Sequence, residues 1–221
     1  MTGMVSFNLN GRDVEAFEGE TIWQVCKRLG LKIPHLCYRH ATDYQGDGNC
    51  RVCVVDVEGD RSLSAACIRQ PETGMTVNTN SERAAKARAM VLELLASDQE
   101  EPEGDFKVWL DEMNIDETRF SGAGKRRTDP SHSAIAVDLN KCIHCKLCVQ
   151  ACHDIQGNNV IAMEGRGNDS TIVFDMSDPM GSSTCVACGE CVQVCPTNAL
   201  YPSAQLSNEV TPIADQVVNS V

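Results

Sequence analysis

The sequence predicts an α+β chain in which two small cysteine-rich units flank a helical segment, and three observations carry that prediction. The arrangement CxxCxxCxxxC occurs twice, as Cys142, Cys145, Cys148, Cys152 and as Cys185, Cys188, Cys191, Cys195. Near the N-terminus, apolar residues alternate on both sides of Asn10-Gly11, a two-residue hairpin signal, and four further cysteines follow at Cys37, Cys50, Cys53 and Cys67. Between the two units, from Ser81 to Met113, apolar residues recur at helical offsets instead.

In chain order, Val5, Phe7 and Leu9 form the first strand and Val14 and Ala16 the second, about a type I′ turn at Asn10-Gly11. Thr21 caps a helix whose apolar face is Ile22, Val25, Cys26 and Leu29, and Gly30 stops it. Cys26 lies on that face and is read as core packing, because a free buried cysteine behaves as a small hydrophobe. Arg51 to Val57 alternates as a strand, Asp60 to Cys67 reads as its hairpin partner, and Met75 to Thr79 adds one more. Ser81 caps a second helix, with Ala85, Val91, Leu92, Leu94 and Leu95 as its apolar face to about Ser97. An acidic break from Asp98 to Asp105 precedes a third helix with Phe106, Trp109, Leu110 and Met113 on one side. Residues 116 to 133 are polar and read as an ordered linker or surface loop. Ala134 to Leu139 opens the last unit as a strand. Between Cys152 and Cys185 come a helix remnant, a turn at Gly157-Asn-Asn159 and strands Val160 to Met163 and Thr171 to Phe174. The domains expected are 1-80, a linker 81-133, a cysteine-rich domain 134-203 and a tail 204-221.

Three thiolates at three-residue spacing wrap three corners of an iron–sulfur cube, and the fourth, a turn further on, points away toward the other cube. One [4Fe-4S] centre is therefore expected on Cys142, Cys145, Cys148 and Cys195, and a second on Cys185, Cys188, Cys191 and Cys152. Zinc is the competing reading, but it takes four ligands as two CxxC pairs and has no use for a third cysteine at the same spacing. The quartet Cys37, Cys50, Cys53 and Cys67, with 12, 2 and 13 residues between members, departs from the plant-type ferredoxin spacing. Its long first gap holds Gly46 and Gly48, which can take positive φ and bring backbone N–H groups to sulfur. Zinc competes there too.

The 13 cysteines come without a basic leader or apolar h-region, so a reducing cytoplasm is expected, and no apolar run is long enough to span a bilayer. A formal charge of -12 repels nucleic-acid phosphate. Gly122-Ala-Gly124-Lys125 faintly suggests a phosphate loop but lacks the preceding strand and the full spacing. His132 is expected to be a surface or hydrogen-bonding residue, and His144 and His153 to be packing beside the cysteines.

Ile33-Pro-His-Leu-Cys37 and Gly48-Asn-Cys-Arg-Val-Cys53-Val-Val-Asp-Val-Glu58 make residues 1–80 resemble the β-grasp [2Fe-2S] ferredoxin domain of the large iron–sulfur subunit of complex I and its relatives in NAD-reducing hydrogenases and formate dehydrogenases. The resemblance implies a [2Fe-2S] cluster on Cys37, Cys50, Cys53 and Cys67. Those relatives carry a further cubane held by one histidine and three cysteines. No cysteine lies between Cys67 and Cys142, so that cubane cannot form here. The run Asp178 to Pro196, with Ile22 to Leu29 and Asp154-Ile-Gln156, narrows the resemblance to the N-terminal electron-transfer region of the α subunit of cytoplasmic NAD-dependent formate dehydrogenase. That implies a wire of one [2Fe-2S] and two [4Fe-4S] clusters in a two-cluster ferredoxin-like arrangement, with no complete catalytic site. It also implies a Mo/W-pterin catalytic module and flavin/NADH-binding iron–sulfur subunits as partners, and a chain that is either a fragment or a split subunit. The alternatives are the electron-transfer subunit of an NAD-reducing hydrogenase, a zinc-stabilised structural protein, and an iron–sulfur sensor, for which no basic module is visible.

Overall fold

A computed structural model describes residues 3–41, 43–122 and 124–208; the tail beyond 208 lies outside them. The first unit is a five-stranded mixed sheet in the order β2-β1-β5-β3-β4. β1 (Met4–Leu9) and β2 (Arg12–Phe17) pair antiparallel from Met4↔Phe17 to Leu9↔Arg12. Asn10 and Gly11 both have positive φ, as the I′ turn demands. β1 runs parallel to β5 (Thr76–Asn78), and β3 (Val54–Val57) is antiparallel to β5 and to β4 (Ser64–Ala65).

Across this sheet lies α1 (Ile22–Arg28), fastened by a complete capping box: Gln24 N–H donates to Thr21 Oγ1 and Thr21 N–H to Gln24 Oε1. Ile22, Val25 and Cys26 are fully buried against Phe7, Leu9, Ala16, Val55, Val57 and Val77. Full burial of such aliphatic side chains stabilises by about 1.5–3 kcal/mol each.

Two expected strands are shorter than their patterns. The run from Arg51 begins as a strand only at Val54, because Arg51 is left-handed (φ 57°) and Cys50 to Cys53 form a turn. Of Asp60 to Cys67, only Ser64 and Ala65 pair.

α2 (Glu82–Ala96) is capped by Ser81, whose Oγ accepts from Ala84 N–H, and α3 (Gly104–Glu112) buries Phe106 and Leu110. The expected face of α2 holds in part: Leu92 is buried and Val91 and Leu95 pack beside it, whereas Ala85 and Leu94 face solvent. Ala84, Arg88, Leu92 and Glu93 are buried, while Leu94 is 46% exposed.

The second unit has a three-stranded sheet, β10-β7-β6, in which β7 (Ile135–Asp138) pairs antiparallel with β6 (Thr128–Asp129) and β10 (Leu200–Pro202). A hairpin of β8 (Ile161–Glu164) and β9 (Thr171–Phe174) packs beside it. Two short helices carry the repeats: α4 (Leu147–Gln150), continued by a π-helical turn over Ala151–Ile155, and α5 (Glu190–Val194). No helix among the described residues is long and apolar enough to cross a membrane.

One apolar cluster joins all three parts. It contains Leu36, Cys37, Tyr44 and Cys50 from the first unit, Leu92, Phe106 and Leu110 from the helices, and Ile143, Cys145, Leu147 and Val194 from the second.

Candidate iron–sulfur sites

The two repeats share one backbone. In the first, His144 (φ 53°) and Lys146 (φ 65°) are left-handed; in the second, Ala187 (φ 55°) and Gly189 (φ 78°) occupy the same places. The chain thereby curls around each triad, and the N–H two residues after the first cysteine turns onto its sulfur: His144 N to Cys142 Sγ and Ala187 N to Cys185 Sγ, both 3.4 Å. The copies diverge after the fourth cysteine. Pro196 follows Cys195, and α5 has already ended at Val194. His153 follows Cys152, and with an N–H available the helix runs on as the π turn, while Val160 N donates to Cys152 Sγ at 3.3 Å.

The thiols of the two repeats raise one another. Burial first, and then Cys195 and Cys142, push Cys145 well above the ordinary thiol range. Burial, then Cys145, Cys142 and Cys195, and last Cys191 of the other repeat, do the same to Cys148. Burial raises Cys142 to about 11, with Cys195 adding to it. In the other set, burial and then Cys185, Cys188 and Cys152 raise Cys191 to about 12. Cys195 thus acts on Cys142, Cys145 and Cys148, and Cys152 on Cys191.

In the N-terminal quartet the thiols couple to one another: neighbouring Cys50 and Cys67 hold Cys37 low, Cys67 holds Cys53 low, and Cys50 and Cys67 are raised in return. Cys50 N also donates to Cys37 Sγ at 3.3 Å. Of the two glycines in the long gap, Gly48 has positive φ (+65°); Gly46 does not, and is needed because a Cβ there would stand 2.6 Å from the Cys67 carbonyl oxygen.

Three sets of four thiols, all buried or half-buried except the exposed Cys188 and several of them pushed up by burial and by one another, become thiolates together only around a cationic core, so the donor sets fit iron–sulfur clusters. Cys26 belongs to none of the sets: it is fully buried in the first core, and burial pushes its thiol up to about 11.

The histidines behave as bystanders. His132 Nδ1 accepts from Ala134 and Ile135 N–H, and His153 Nδ1 lies 2.6 Å from Asp154 on the surface. His144 Nε2 meets Arg126 Nη1 at 2.9 Å, and Arg126 also donates to the Cys142 carbonyl and pairs with Asp98. Sequence reasoning missed Arg126, Arg39, Tyr44 and Arg88. Arg39 donates to Val194 O at 3.1 Å and pairs with Asp105, and Tyr44 Oη donates to Glu190 at 2.9 Å. Their position inside the 12-residue gap was the available signal.

Comparisons with known proteins agree with this geometry. Residues 2–82 match the family "2Fe-2S iron-sulfur cluster binding domain" and residues 141–199 the family "4Fe-4S dicluster domain". The chain is 33% identical to the NADP-reducing hydrogenase subunit HndD of Solidesulfovibrio fructosivorans, over 97% of this chain and 39% of that protein. It is 32% identical to the mitochondrial NADH-ubiquinone oxidoreductase 78 kDa subunit of Candida albicans, over 89% of this chain and 28% of that one. It thus spans well under half the length of either relative. A chain of an NAD+-reducing [NiFe]-hydrogenase, in the H2-reduced state, superposes with a TM-score of 0.82 at 26% identity, covering 90% of this chain and 88% of that one. The chain is a 2Fe-2S domain followed by a 4Fe-4S dicluster domain, and it is similar to subunits of NADH-ubiquinone oxidoreductase and of NAD(P)-reducing hydrogenases.

Proposed function

We propose that Cys37, Cys50, Cys53 and Cys67 hold a [2Fe-2S] cluster, Cys142, Cys145, Cys148 and Cys195 one [4Fe-4S] cluster, and Cys152, Cys185, Cys188 and Cys191 another. When bound, each supplies a one-electron carrier, suited to linking a two-electron substrate site to a flavin or nicotinamide. The chain's own residues fix the carriers in place. Arg39 and Tyr44 tie the loop after Cys37 to α5, and Gln150 Nε2 donates across the same seam to Gln45 O at 3.1 Å. The observation that carries the proposal is the joint apolar cluster, where Cys37 and Cys50 share one buried interior with Cys145. It supports a direct step between the N-terminal quartet and the first [4Fe-4S] quartet, without the histidine-type cubane.

The far end of the wire is read as a formate-oxidising Mo/W-pterin module, and the near end as a flavin/NADH-binding module, in the cytoplasm. The formate assignment rests on the resemblance of Asp178 to Pro196. The second reading, hydrogen as donor, is favoured by the likeness to the two hydrogenase subunits. Anaerobic purification of the native complex through a tag on this chain, with NAD reduction assayed under formate and under hydrogen, decides between them. Formate activity supports the first reading, and hydrogen activity alone replaces it with the second. Iron and acid-labile sulfide at roughly ten each per chain are expected, two from the N-terminal site and four from each cubane; zinc without sulfide overturns both readings.

A further inference from the structure

Arg88 is a buried charge on α2. It sits in the middle of α2, one turn from Ala84 and one from Leu92, and is 6% exposed. Its Nε donates to the Val54 carbonyl at 2.8 Å, one residue beyond Cys53, while Nη2 is buried with no hydrogen-bond partner. The other charges of α2 are satisfied elsewhere: Lys86 with Glu82, Arg83 with Asp56 and Glu93 with Arg119. A lone buried guanidinium is costly, and native proteins keep buried charges only when they are paired. Two ionisable groups bear on Arg88, Cys53 and Cys26. Cys26 is raised to about 11 by burial and stays a neutral thiol near pH 7, so it is no counter-ion. That leaves the quartet of Cys53.

We infer that Arg88 is the built-in counter-charge of the [2Fe-2S] site, supplied from the helical segment, and that it sets that site's reduction potential above those it would have without the cation. The inference rests on the reading of Cys37, Cys50, Cys53 and Cys67 as cluster ligands. Four thiolates around an oxidised core carry a formal charge of about −2, and one added electron makes it about −3 with no proton taken up. A fixed positive charge in low dielectric favours the more negative state, and because it is buried, salt screens it little. The orphan Nη2 is thus a donor held for an acceptor that belongs to the loaded site.

The test uses the full chain, reconstituted without oxygen and reduced stepwise by dithionite, with the three clusters followed by their electron paramagnetic resonance signals. Arg88→Gln keeps an amide donor for the Val54 carbonyl and removes the charge; Arg88→Lys keeps the charge. In Arg88→Gln the reduction equilibrium of the [2Fe-2S] signal is expected to fall at least tenfold, a midpoint about 59 mV more negative, at both low and high salt, with the two cubane midpoints unmoved. Arg88→Lys is expected to recover most of the shift. A loaded Arg88→Gln protein with an unshifted [2Fe-2S] midpoint overturns the inference, as does a shift shared by all three signals. If Arg88→Gln does not load, Arg88→Met takes its place, and loading of Arg88→Lys but of neither neutral variant supports the charge role. Wild-type protein that shows no [2Fe-2S] signal overturns the ligand reading itself, a result separable from any behaviour of the variants.

Discussion

Gly46→Ala is the sharpest steric probe of the N-terminal site. The new Cβ would meet the Cys67 carbonyl oxygen at 2.6 Å, its carbon at 3.2 Å and Ile68 Cγ2 at 3.1 Å. Ile68 is 45% exposed and can turn away, but the Cys67 carbonyl cannot. Its neighbours are pinned by Ala66 N to Cys53 O, Trp23 N to Ala66 O and Ile22 N to Arg69 O. The loop must therefore retreat by about 0.9 Å to reach the ~3.5 Å at which unbonded atoms sit comfortably. Overpacking of this kind costs about 1–3 kcal/mol. The displaced loop carries Tyr44 and leads into Cys50, so both the seam to α5 and the ligand geometry move. The assay is double integration of the [2Fe-2S] resonance together with the denaturant midpoint. A smaller [2Fe-2S] signal, intact cubane signals and a lower midpoint are expected. Gly59→Ala is the control: at φ +86° with nothing within 4 Å, it costs about 1–2 kcal/mol of backbone strain and leaves all three signals. Full [2Fe-2S] occupancy with an unchanged midpoint in Gly46→Ala would refute the close-approach argument.

Cys195→Ser and Cys142→Ser are expected to erase the same cubane resonance, and Cys152→Ser and Cys185→Ser the other; pairing of Cys195 with Cys191 instead would overturn the crossed assignment. Cys26→Ala should keep all iron and sulfide while lowering stability by about 1 kcal/mol, the scale of one buried heavy atom, and metal analysis beside a denaturant curve checks it. Tyr44→Phe leaves the Glu190 carboxylate without its donor, a loss of about 1.5–3 kcal/mol. It should also weaken magnetic coupling between the reduced [2Fe-2S] site and the first cubane, seen as loss of splitting at low temperature; unchanged splitting would mean the seam does not depend on this bond.

Local rules made much of the fold legible. Asn10-Gly11 marked the hairpin, Thr21 and Ser81 the caps, and the triple spacing of cysteines the two curled loops, because each of these signals acts within a few residues. Where the reading failed, a long-range demand had overridden a local pattern. Arg51 to Cys53 alternates like a strand, yet a turn is required to aim Cys50 and Cys53 at one centre, and Arg51 takes a left-handed conformation to provide it. The apolar face read for α2, Ala85, Val91, Leu92, Leu94 and Leu95, is right at Leu92, with Val91 and Leu95 packed beside it, but a pattern of apolar residues has no place for the buried Arg88. Burial of Arg88 follows from a charge across the chain, which periodicity on one helix cannot register.

The same long-range demand accounts for the wide gap between Cys37 and Cys50. A short connection would suffice to close a loop around a cluster, since added loop length changes closure entropy only slowly. The extra residues form the seam instead: Arg39 and Tyr44 reach α5, Gln45 receives Gln150, and Tyr44 joins Leu36 and Val52, which flank the gap, in the apolar interior shared with Ile143 and Leu147. With no cysteine between Cys67 and Cys142 to build a bridging cubane, the two cysteine-rich units must meet directly. They do so where Cys145 feels the charge of Cys37. The helical segment, freed from ligating metal, is left to brace that junction through Phe106 and Leu110 and, from its other end, to lend Arg88 to the first site.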